Sequence, residues 1–338
     1  MGSNVYGIDP GTCNLKVFSQ ATGKIYNEKN TVAIINEDTL YAFGNEAYAM
    51  FEKVPENIQV SFPVNVGVIS SYNYEQAMIF EFLEKHSKGR IKGAEFIVAV
   101  PTDITEVEKK AFFDLLYKSK AKPRSVLVCD KPIASAVGLG LDVNEPTGVM
   151  IVDMGADTTE ISVISLGGLV ISSLLDFGGN RIDESIISCI RKEFNLLIGK
   201  KTACQLKETI GSALPGYTDE ITVVGRDVVS GLPIEMTIAA EVIYKAITPD
   251  LEEFCSNIKL MLEHVPPELA RDVVASGIYL TGGTSKIRGV DQLFSDVSGI
   301  RVNLCENPEE SAARGLVKIV SDPKYRNLPY TMKARNIR

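Results

Sequence analysis

Short apolar runs that end in turn residues recur along the chain. They lie at residues 5–8, 96–100, 126–128, 149–152 and 278–280. Such runs are typical of buried strands, and helical patterns lie between several of them. The alternation predicts an α/β protein whose strands are largely parallel.

Two helices have clear start or stop signals. Residues 105–108 read Thr-Glu-Val-Glu, a capping box, and apolar residues follow it at helical spacing. A second helix is predicted to begin after Thr248-Pro249 and to run to about His264, where Pro266-Pro267 ends it.

One strand-turn pattern occurs twice. Residues 5–12 and residues 150–159 each contain an apolar strand that ends in an aspartate, then a glycine turn and hydroxyl side chains. The repeat predicts two related lobes rather than one continuous sheet. The polar, turn-rich segment 144–148 is the expected boundary.

The composition narrows the classes of function. A chain of 338 residues is long enough for two lobes, and its net charge of −8 gives no reason to expect nucleic acid as a partner. The six cysteines form no CxxC pair and the chain has two histidines, so no zinc site is expected. Neither a signal peptide nor an apolar run of about 20 residues is present, so we expect a cytoplasmic protein.

The repeated turns have the chemistry of a phosphate clamp. Glycine permits close backbone approach, hydroxyls add donors, and an aspartate at each strand end can hold water on Mg²⁺. Each turn alone is more often only a turn. A third glycine turn, at residues 280–284, also follows an apolar strand and is placed to contact a base and ribose.

These three segments, in this order, resemble the phosphate-1, phosphate-2 and adenosine motifs of the superfamily of actin, sugar kinases and heat-shock chaperones. The finer resemblance is to the MreB family, and it covers roughly residues 4–320. The matching segments are 44–47, 67–69, 104–109, 145–148, 163–168, 194–199, 225–227, 266–270 and 306–308.

The resemblance implies an α/β, actin-like (ribonuclease-H-like) fold with two lobes and four subdomains. Residues 1–144 would form the first lobe, with subdomains IA and IB, closed by part of 318–338. Residues 145–317 would form the second lobe, with subdomains IIA and IIB, and 321–338 a basic, flexible tail. Mg-ATP or ADP would bind between the lobes, and the protein would polymerise into paired protofilaments at the inner face of the cytoplasmic membrane.

The resemblance also assigns site residues. From the first lobe, Asp9, Gly11, Thr12 and Asn14 would serve the phosphates, and from the second lobe Asp153, Gly155, Thr158 and Thr159. Asp9 and Asp153 would serve the metal. Gly282, Gly283 and Thr284 would contact the adenosine, with Gly179 and Lys207 as further candidates. For Lys207, and for Lys16 beside the first turn, a solvated lysine is an alternative.

Two departures concern hydrolysis, for which Lys131, Asp157 and Thr158 are the candidate catalytic residues. Lys131 stands where relatives carry the glutamate that orients the attacking water, and a charged lysine cannot accept a proton. Asp157 brings a carboxylate to a turn of glycines. We expect an ion pair between Lys131 and Asp157 and slow hydrolysis. The alternative is that Asp157 positions the water. Asn180, where relatives often carry Asp, is a smaller departure.

Membrane binding and other functions remain open alternatives. The basic loop 85–92 and the basic tail favour weak attraction to anionic lipid, with a solvated loop as the alternative, and paralogous filaments are further candidate partners. A small-molecule kinase of the same superfamily is the alternative function, but no base for an acceptor hydroxyl is evident. A chaperone would need a second domain, and a scaffold without nucleotide would conflict with Asp9, Asp153 and the glycine pair 282–283.

Overall fold

The computed structural model describes residues 4–36, 39–86 and 91–332. Its contacts divide the chain into two units. The first consists of Met1–Ile151, Ser162–Leu174 and Glu309–Arg338, and the second of Val152–Ile161 and Leu175–Pro308.

The described strands are, in chain order, β1 (Val5–Pro10), β2 (Asn14–Ser19), β3 (Lys24–Lys29), β4 (Val32–Ile35), β5 (Thr39–Phe43), β6 (Ile58–Ser61), β7 (Val64–Asn65), β8 (Val68–Ile69), β9 (Glu95–Val100), β10 (Ser125–Asp130), β11 (Val149–Met154), β12 (Thr159–Ser165), β13 (Gly168–Leu175), β14 (Leu196–Leu197), β15 (Glu220–Asp227), β16 (Pro233–Ala239), β17 (Ile278–Thr281) and β18 (Val302–Leu304). All five apolar runs predicted to be strands fall within β1, β9, β10, β11 and β17. The prediction of these strands is therefore confirmed.

The described α-helices are α1 (Gly44–Met50), α2 (Tyr72–His86), α3 (Glu106–Tyr117), α4 (Lys131–Gly138), α5 (Gly179–Phe194), α6 (Lys200–Ile210), α7 (Ala240–His264), α8 (Pro267–Ser276), α9 (Val290–Ser298) and α10 (Ser311–Ser321). Short 3₁₀ turns lie at Gly283–Lys286, Pro308–Glu310 and Pro323–Tyr325. Among the residues described, no helix is both long enough and apolar enough to cross a membrane.

In the first unit, the main sheet has the order β10-β9-β1-β2-β3. β1 runs parallel to β9, and β9 parallel to β10, as predicted, whereas β2 and β3 continue the sheet antiparallel. The apolar side chains of β1 and β9 are buried against α2 and α3, and Tyr6 stacks on Phe96 in this core. The central strands are therefore fixed by burial, and the turn after β1 is held at one edge of a rigid sheet.

The capping box of α3 is confirmed. Thr105 Oγ1 accepts a hydrogen bond from the Glu108 backbone N–H at 3.2 Å. The Glu108 carboxylate accepts one from the Thr105 N–H at 2.7 Å. The backbone N–H groups of Thr105 and Glu108 are thus each satisfied by the side chain of the other residue, which fixes where α3 begins.

The second predicted helix begins earlier than expected. α7 starts at Ala240 and contains Pro249 in its interior, so the prediction of a start after Pro249 was wrong, although the end at His264 was right. Proline removes one helical hydrogen bond. Here the buried face of α7, which includes Ile243, Ile247 and Leu251, continues on both sides of the proline. Burial of that face outweighs the local cost.

The other five-stranded sheet has the order β13-β12-β11-β17-β18, and β17 and β18 are parallel. In the second unit, β14, β15 and β16 form a separate antiparallel sheet. Phe254 of α7 stacks on Phe177 and contacts Phe294 of α9. These aromatic contacts hold α7 and α9 together in the core of the second unit.

The first part of the predicted flexible tail pairs with the first unit. Tyr330 and Val128 of β10 exchange two backbone hydrogen bonds, of 2.7 and 2.8 Å. The Tyr330 hydroxyl also donates to the Asp130 carboxylate at 3.0 Å. This pairing contrasts with the expectation of a flexible segment. The tail cations Lys333, Arg335 and Arg338 lie outside the described residues.

Candidate functional site

The two repeated turns are closed by the same backbone hydrogen bond. The Gly11 N–H donates to the Asn14 carbonyl at 3.1 Å, and the Gly155 N–H donates to the Thr158 carbonyl at 2.8 Å. A Cβ at either glycine would lie 2.9 or 2.8 Å from that same carbonyl oxygen, which is too close for any other residue without a shift. The internal repeat predicted from the sequence is therefore present in the backbone. Thr12 and Thr158 lie half-buried within these turns.

Asp9, the penultimate residue of β1, is a buried, ionised carboxylate. Its side chain is 2% exposed and accepts a hydrogen bond from Lys16 Nζ at 3.1 Å. Burial raises the pKa of Asp9, but the positive charges of Lys16 and Lys131 outweigh it, so the pKa is below its ordinary value. Lys16 is buried and paired, so the alternative of a solvated lysine is wrong.

The Gly11 turn is also contacted by Lys29 and Asn30, two residues that the sequence analysis did not predict to belong to the site. Asn30 Nδ2 donates to the Gly11 carbonyl at 3.0 Å, and the Asn30 backbone N–H donates to the Cys13 carbonyl at 2.9 Å. Lys29 Nζ lies 3.1 Å from Cys13 Sγ. Asn14, a predicted phosphate contact, donates through Nδ2 to Asn27 at 2.6 Å. The turn is therefore anchored to the end of β3.

Lys131 is the first residue of α4 and directly follows β10. Its charge is close enough to Asp9 to lower the pKa of that carboxyl. The resemblance to the MreB family implies that Lys131 lies beside the reacting phosphate, and the structure places its charge near Asp9, the candidate metal ligand of the same unit.

The predicted site residues of the second unit lie together around one carbonyl group. The Gly155 carbonyl accepts from Thr284 Oγ1 at 2.7 Å and from the Gly179 N–H at 3.1 Å. Lys207 Nζ donates to the Gly179 carbonyl at 2.8 Å. The phosphate-2 turn, the start of α5, α6 and the third glycine turn are thereby joined, although they are far apart in sequence.

Lys207 is buried, so the alternative of a solvated helix residue is wrong. Its side chain is 9% exposed, and Nζ lies 2.9 Å from the Asp183 carboxylate. Burial raises the pKa of Asp183, and the Lys207 charge opposes only part of that rise. Asp183 was not predicted, because its lysine lies on the next helix and no local motif joins them.

The third turn requires glycine at residue 282. Gly282 has a φ of +83°, and its N–H donates to the Pro308 carbonyl at 3.0 Å. A Cβ there would collide with the Met154 carbonyl oxygen and with the Asp153 carboxylate. Gly282 therefore packs directly on the strand end that carries the second predicted metal ligand. Gly283 then opens a 3₁₀ turn that positions Thr284.

Thr159 has a partner inside the protein. Its side chain is fully buried, and the hydroxyl donates to the Phe177 carbonyl at 2.8 Å. This internal partner satisfies the buried hydroxyl. The hydroxyl of Thr159 holds the segment before α5 against β12, and a phosphate contact of Thr159 stays a prediction that would fall to its backbone N–H.

Asp157 and Asn180 are in direct contact. Asn180 Nδ2 donates to the Asp157 carboxylate at 2.6 Å. The Asn180 backbone N–H also donates to the Ala156 carbonyl at 2.7 Å. Asp157 and Asn180, the two departures from the family pattern in this region, therefore form one local arrangement at the start of α5.

Comparison with known proteins decides the family. A family model described as MreB/Mbl protein matches residues 3–327. The chain belongs to the MreB/Mbl family. It is 37% identical over 323 residues to the cell shape-determining protein MreB of Escherichia coli (strain K12), covering 93% of this chain and 92% of that relative. It is 35% identical over 312 residues to the cell shape-determining protein Mbl of Bacillus subtilis (strain 168), covering 91% and 93%.

Solved structures agree with this membership. The crystal structure of MreB 5 of Spiroplasma citri bound to AMPPNP superposes with a TM-score of 0.90 at 29% identity, over 94% of this chain and 96% of that one. A MamK double helical filament gives a TM-score of 0.79 at 22% identity, over 94% and 99%, and shows the fold alone. The predicted actin-like α/β fold and the resemblance to the MreB family are both confirmed.

Proposed function

We propose that this protein binds ATP and ADP with Mg²⁺ and polymerises into cytoskeletal filaments that determine cell shape or support motility. The observation that carries the proposal is the pair of glycine turns closed by the same backbone hydrogen bond, each following an aspartate near a strand end. The Spiroplasma relative was solved with AMPPNP and with ADP, and the Escherichia coli relative is a cell shape-determining protein.

Each turn would contribute one kind of contact. The small and hydroxyl residues of the first two turns would surround the phosphates, and the third turn with its neighbours would contact the adenosine. The phosphate residues are Gly11, Thr12, Asn14, Gly155 and Thr158, and the adenosine residues are Gly179, Lys207, Gly282, Gly283 and Thr284. The backbone connections around the Gly155 carbonyl would transmit a change at one contact to the others.

The acidic residues fit a hard cation. Asp9 is held ionised by neighbouring positive charges, and Asp153 is the penultimate residue of β11, at the matching position of the repeat. Mg²⁺ prefers oxygen ligands and keeps several waters, so Asp9 and Asp153 would hold it through water. When bound, the metal would offset the phosphate charge. Lys16 would keep Asp9 fixed in the absence of nucleotide.

We also propose that hydrolysis is slow, because Lys131 replaces the glutamate that positions water in relatives. Lys131 and Asp157 would pair when nucleotide is bound, with Thr158 beside them in the turn. The alternative is that Asp157 itself positions the water. Phosphate release by the variants Lys131→Glu and Asp157→Gly separates these possibilities. A rise with Lys131→Glu supports the lost role of the glutamate, whereas a loss with Asp157→Gly supports a catalytic Asp157.

The nucleotide and filament proposals can be tested together. We expect wild-type protein to bind a fluorescent ATP analogue and to form filaments visible by electron microscopy when Mg-ATP is added. Asp9→Asn and Asp153→Asn should both weaken Mg-dependent binding, while Glu235→Gln, on the exposed face of β16, should not. Unchanged binding in both aspartate variants would contradict the assigned site.

The small-molecule kinase alternative is not favoured, because the chain belongs to a family of cell shape-determining proteins. Phosphorylation of a sugar or acetate at a steady rate would reverse that judgement.

Paired protofilaments, paralogous filaments and a position at the inner face of the cell membrane remain proposals. In the basic loop 85–92, Lys85 pairs with Glu28 at 2.8 Å, and residues 87–90 lie outside the described part of the chain. Electrostatic binding predicts co-sedimentation with anionic vesicles that is lost in high salt. Binding that is insensitive to salt would contradict it.

A further inference from the structure

Glu75 of α2 is a fully buried acidic side chain that the proposed nucleotide site does not use. Its side chain is 0% exposed, and burial raises the pKa of Glu75 to about 8. Among the described residues, neither carboxyl oxygen has a hydrogen-bond partner of good geometry. A buried carboxylate without a donor is costly, so the neutral acid is the form that fits this position at neutral pH.

Asn30 links this acid to the first phosphate turn. Asn30 is also 0% exposed, and its amide nitrogen already donates to the Gly11 carbonyl at 3.0 Å. Its amide oxygen has no donor among the described residues. The Asn30 side chain lies near enough to Glu75 to hydrogen-bond its carboxyl group, and this contact lowers the pKa of Glu75 against the larger rise caused by burial. An acceptor without a donor thus lies next to a carboxyl group without a partner.

We propose that Glu75 and Asn30 form a proton-controlled clamp on the Gly11 turn. With its proton, the Glu75 carboxyl donates to Asn30 Oδ1, and Asn30 Nδ2 stays on the Gly11 carbonyl. When Glu75 loses this proton to solvent, its carboxylate only accepts. The Asn30 amide then rotates so that Nδ2 faces the carboxylate and Oδ1 faces the Gly11 carbonyl. The turn loses its donor, and the two facing carbonyl oxygens repel.

The charged groups around Glu75 do not contribute to its titration, so Glu75 is the group whose proton controls this clamp. The titratable and charged groups on the elements packed around it are mostly engaged with one another. They include Tyr72, Lys85 and His86 on α2, Glu28 and Lys29 on β3, and Lys110, Asp114 and Lys118 on or next to α3. The other acids of α2, Glu81 and Glu84, are exposed. Lys85 and His86 contact Glu28, and Lys110 and Lys118 contact Asp114. None of them affects the pKa of Glu75, which burial raises and the contact with Asn30 lowers by a smaller amount.

The consequence for ligand binding rests on the proposed function, because it requires that the Gly11 turn holds phosphate. Loss of one buried hydrogen bond corresponds to roughly a fivefold change in an equilibrium constant. We therefore expect the affinity for a fluorescent ATP analogue to fall by about that factor between about pH 6.5 and about pH 9.5.

Variants separate the clamp from other titrating groups. In Glu75→Gln, the amide still donates to Asn30 Oδ1, so affinity should stay high and lose the fivefold fall. Asn30→Ala should bind weakly at all pH values. Glu235→Gln, a surface control, should keep the wild-type pH profile. An unchanged pH profile in Glu75→Gln would overturn the proposal.

A second measurement needs no nucleotide and so distinguishes failure of the clamp from failure of the proposed site. Hydrogen exchange of the peptide that contains residues 11–14 is compared between wild type and Glu75→Gln at the same pH. The two should match near pH 6.5, and the wild type should exchange faster above about pH 8. Equal exchange at both pH values refutes the clamp even if ATP binds. A difference in exchange without any ATP binding refutes only the nucleotide site.

Discussion

Replacing Glu75 with glutamine should stabilise the protein, and the gain should grow with pH. The pKa of Glu75 is raised from 4.5 to about 8 in the folded chain because the side chain is buried. Below the unfolded pKa of 4.5 the group is protonated in both states and costs nothing. Between these two values the unfolded chain gives up the proton while the folded chain keeps it, so wild-type stability falls as pH rises. Above about pH 8 both states are ionised and the fall is complete.

The magnitude follows from the size of the shift. A difference of about 3.5 pKa units at about 1.4 kcal/mol per unit is about 5 kcal/mol as an upper figure. At pH 7 the corresponding difference is about 3 kcal/mol. Glutamine keeps the shape and a donor without the charge, so the variant should follow the wild type near pH 4.5 and exceed it increasingly above that pH.

Urea denaturation followed by circular dichroism, at several pH values from about 5 to about 9, measures this difference. The chain has no tryptophan, so dichroism is the natural signal. Subtracting the wild-type curve from the Glu75→Gln curve removes every other titrating group, and Glu235→Gln gives the flat baseline. A difference that does not change with pH, or that shrinks as pH rises, would refute a buried neutral Glu75.

Three further changes test the site and the fold. Gly282→Ala adds both backbone strain and a collision with Asp153, so we expect the free energy of unfolding to fall by more than about 2 kcal/mol in thermal unfolding. The control Gly299→Ala, at a φ of +70° with open space around it, should lower the free energy of unfolding by only about 1 kcal/mol. Lys207→Met leaves the buried Asp183 carboxylate unpaired and should cost about 3–5 kcal/mol in urea denaturation, with recovery when Asp183→Leu is added. Thr105→Ala removes the cap of α3 and should lower the free energy of unfolding by about 1 kcal/mol, measured by calorimetry. An unchanged stability in any of these three variants would count against the contact that the variant removes.

Much of the fold could be predicted because its signals are local. The apolar runs that became β1 and β9 are buried on both faces, and residues 105–108 carry their own cap. The start of α7 could not be predicted this way. Pro249 is a strong local stop signal, and it was overruled by burial of Ile247 and Leu251 against other elements, which the local sequence does not show.

The site residues also fall into those with a local sequence signal and those without one. Gly11, Gly155 and Gly282 were predicted because a tight turn after a strand leaves a glycine in the sequence. Asn30 and Asp183 were missed because their partners lie on other elements, and neither belongs to a motif. Burial also changed the interpretation of Lys207, since a lysine on a helix is normally solvated unless tertiary structure covers it.

The departures from the family pattern are easier to understand as contacts than as single positions. Asp157 is held at 2.6 Å by the amide of Asn180. An aspartate at residue 180, as relatives often carry, would place two acceptors face to face, so the two exchanges amount to one physical change. Lys131 likewise acts on Asp9 within the first unit. Each departure therefore has an electrostatic partner inside its own unit, and the proposed Lys131–Asp157 pair would add to these contacts rather than replace them. The proposed slow hydrolysis then depends on the missing glutamate alone, whichever partners Lys131 keeps.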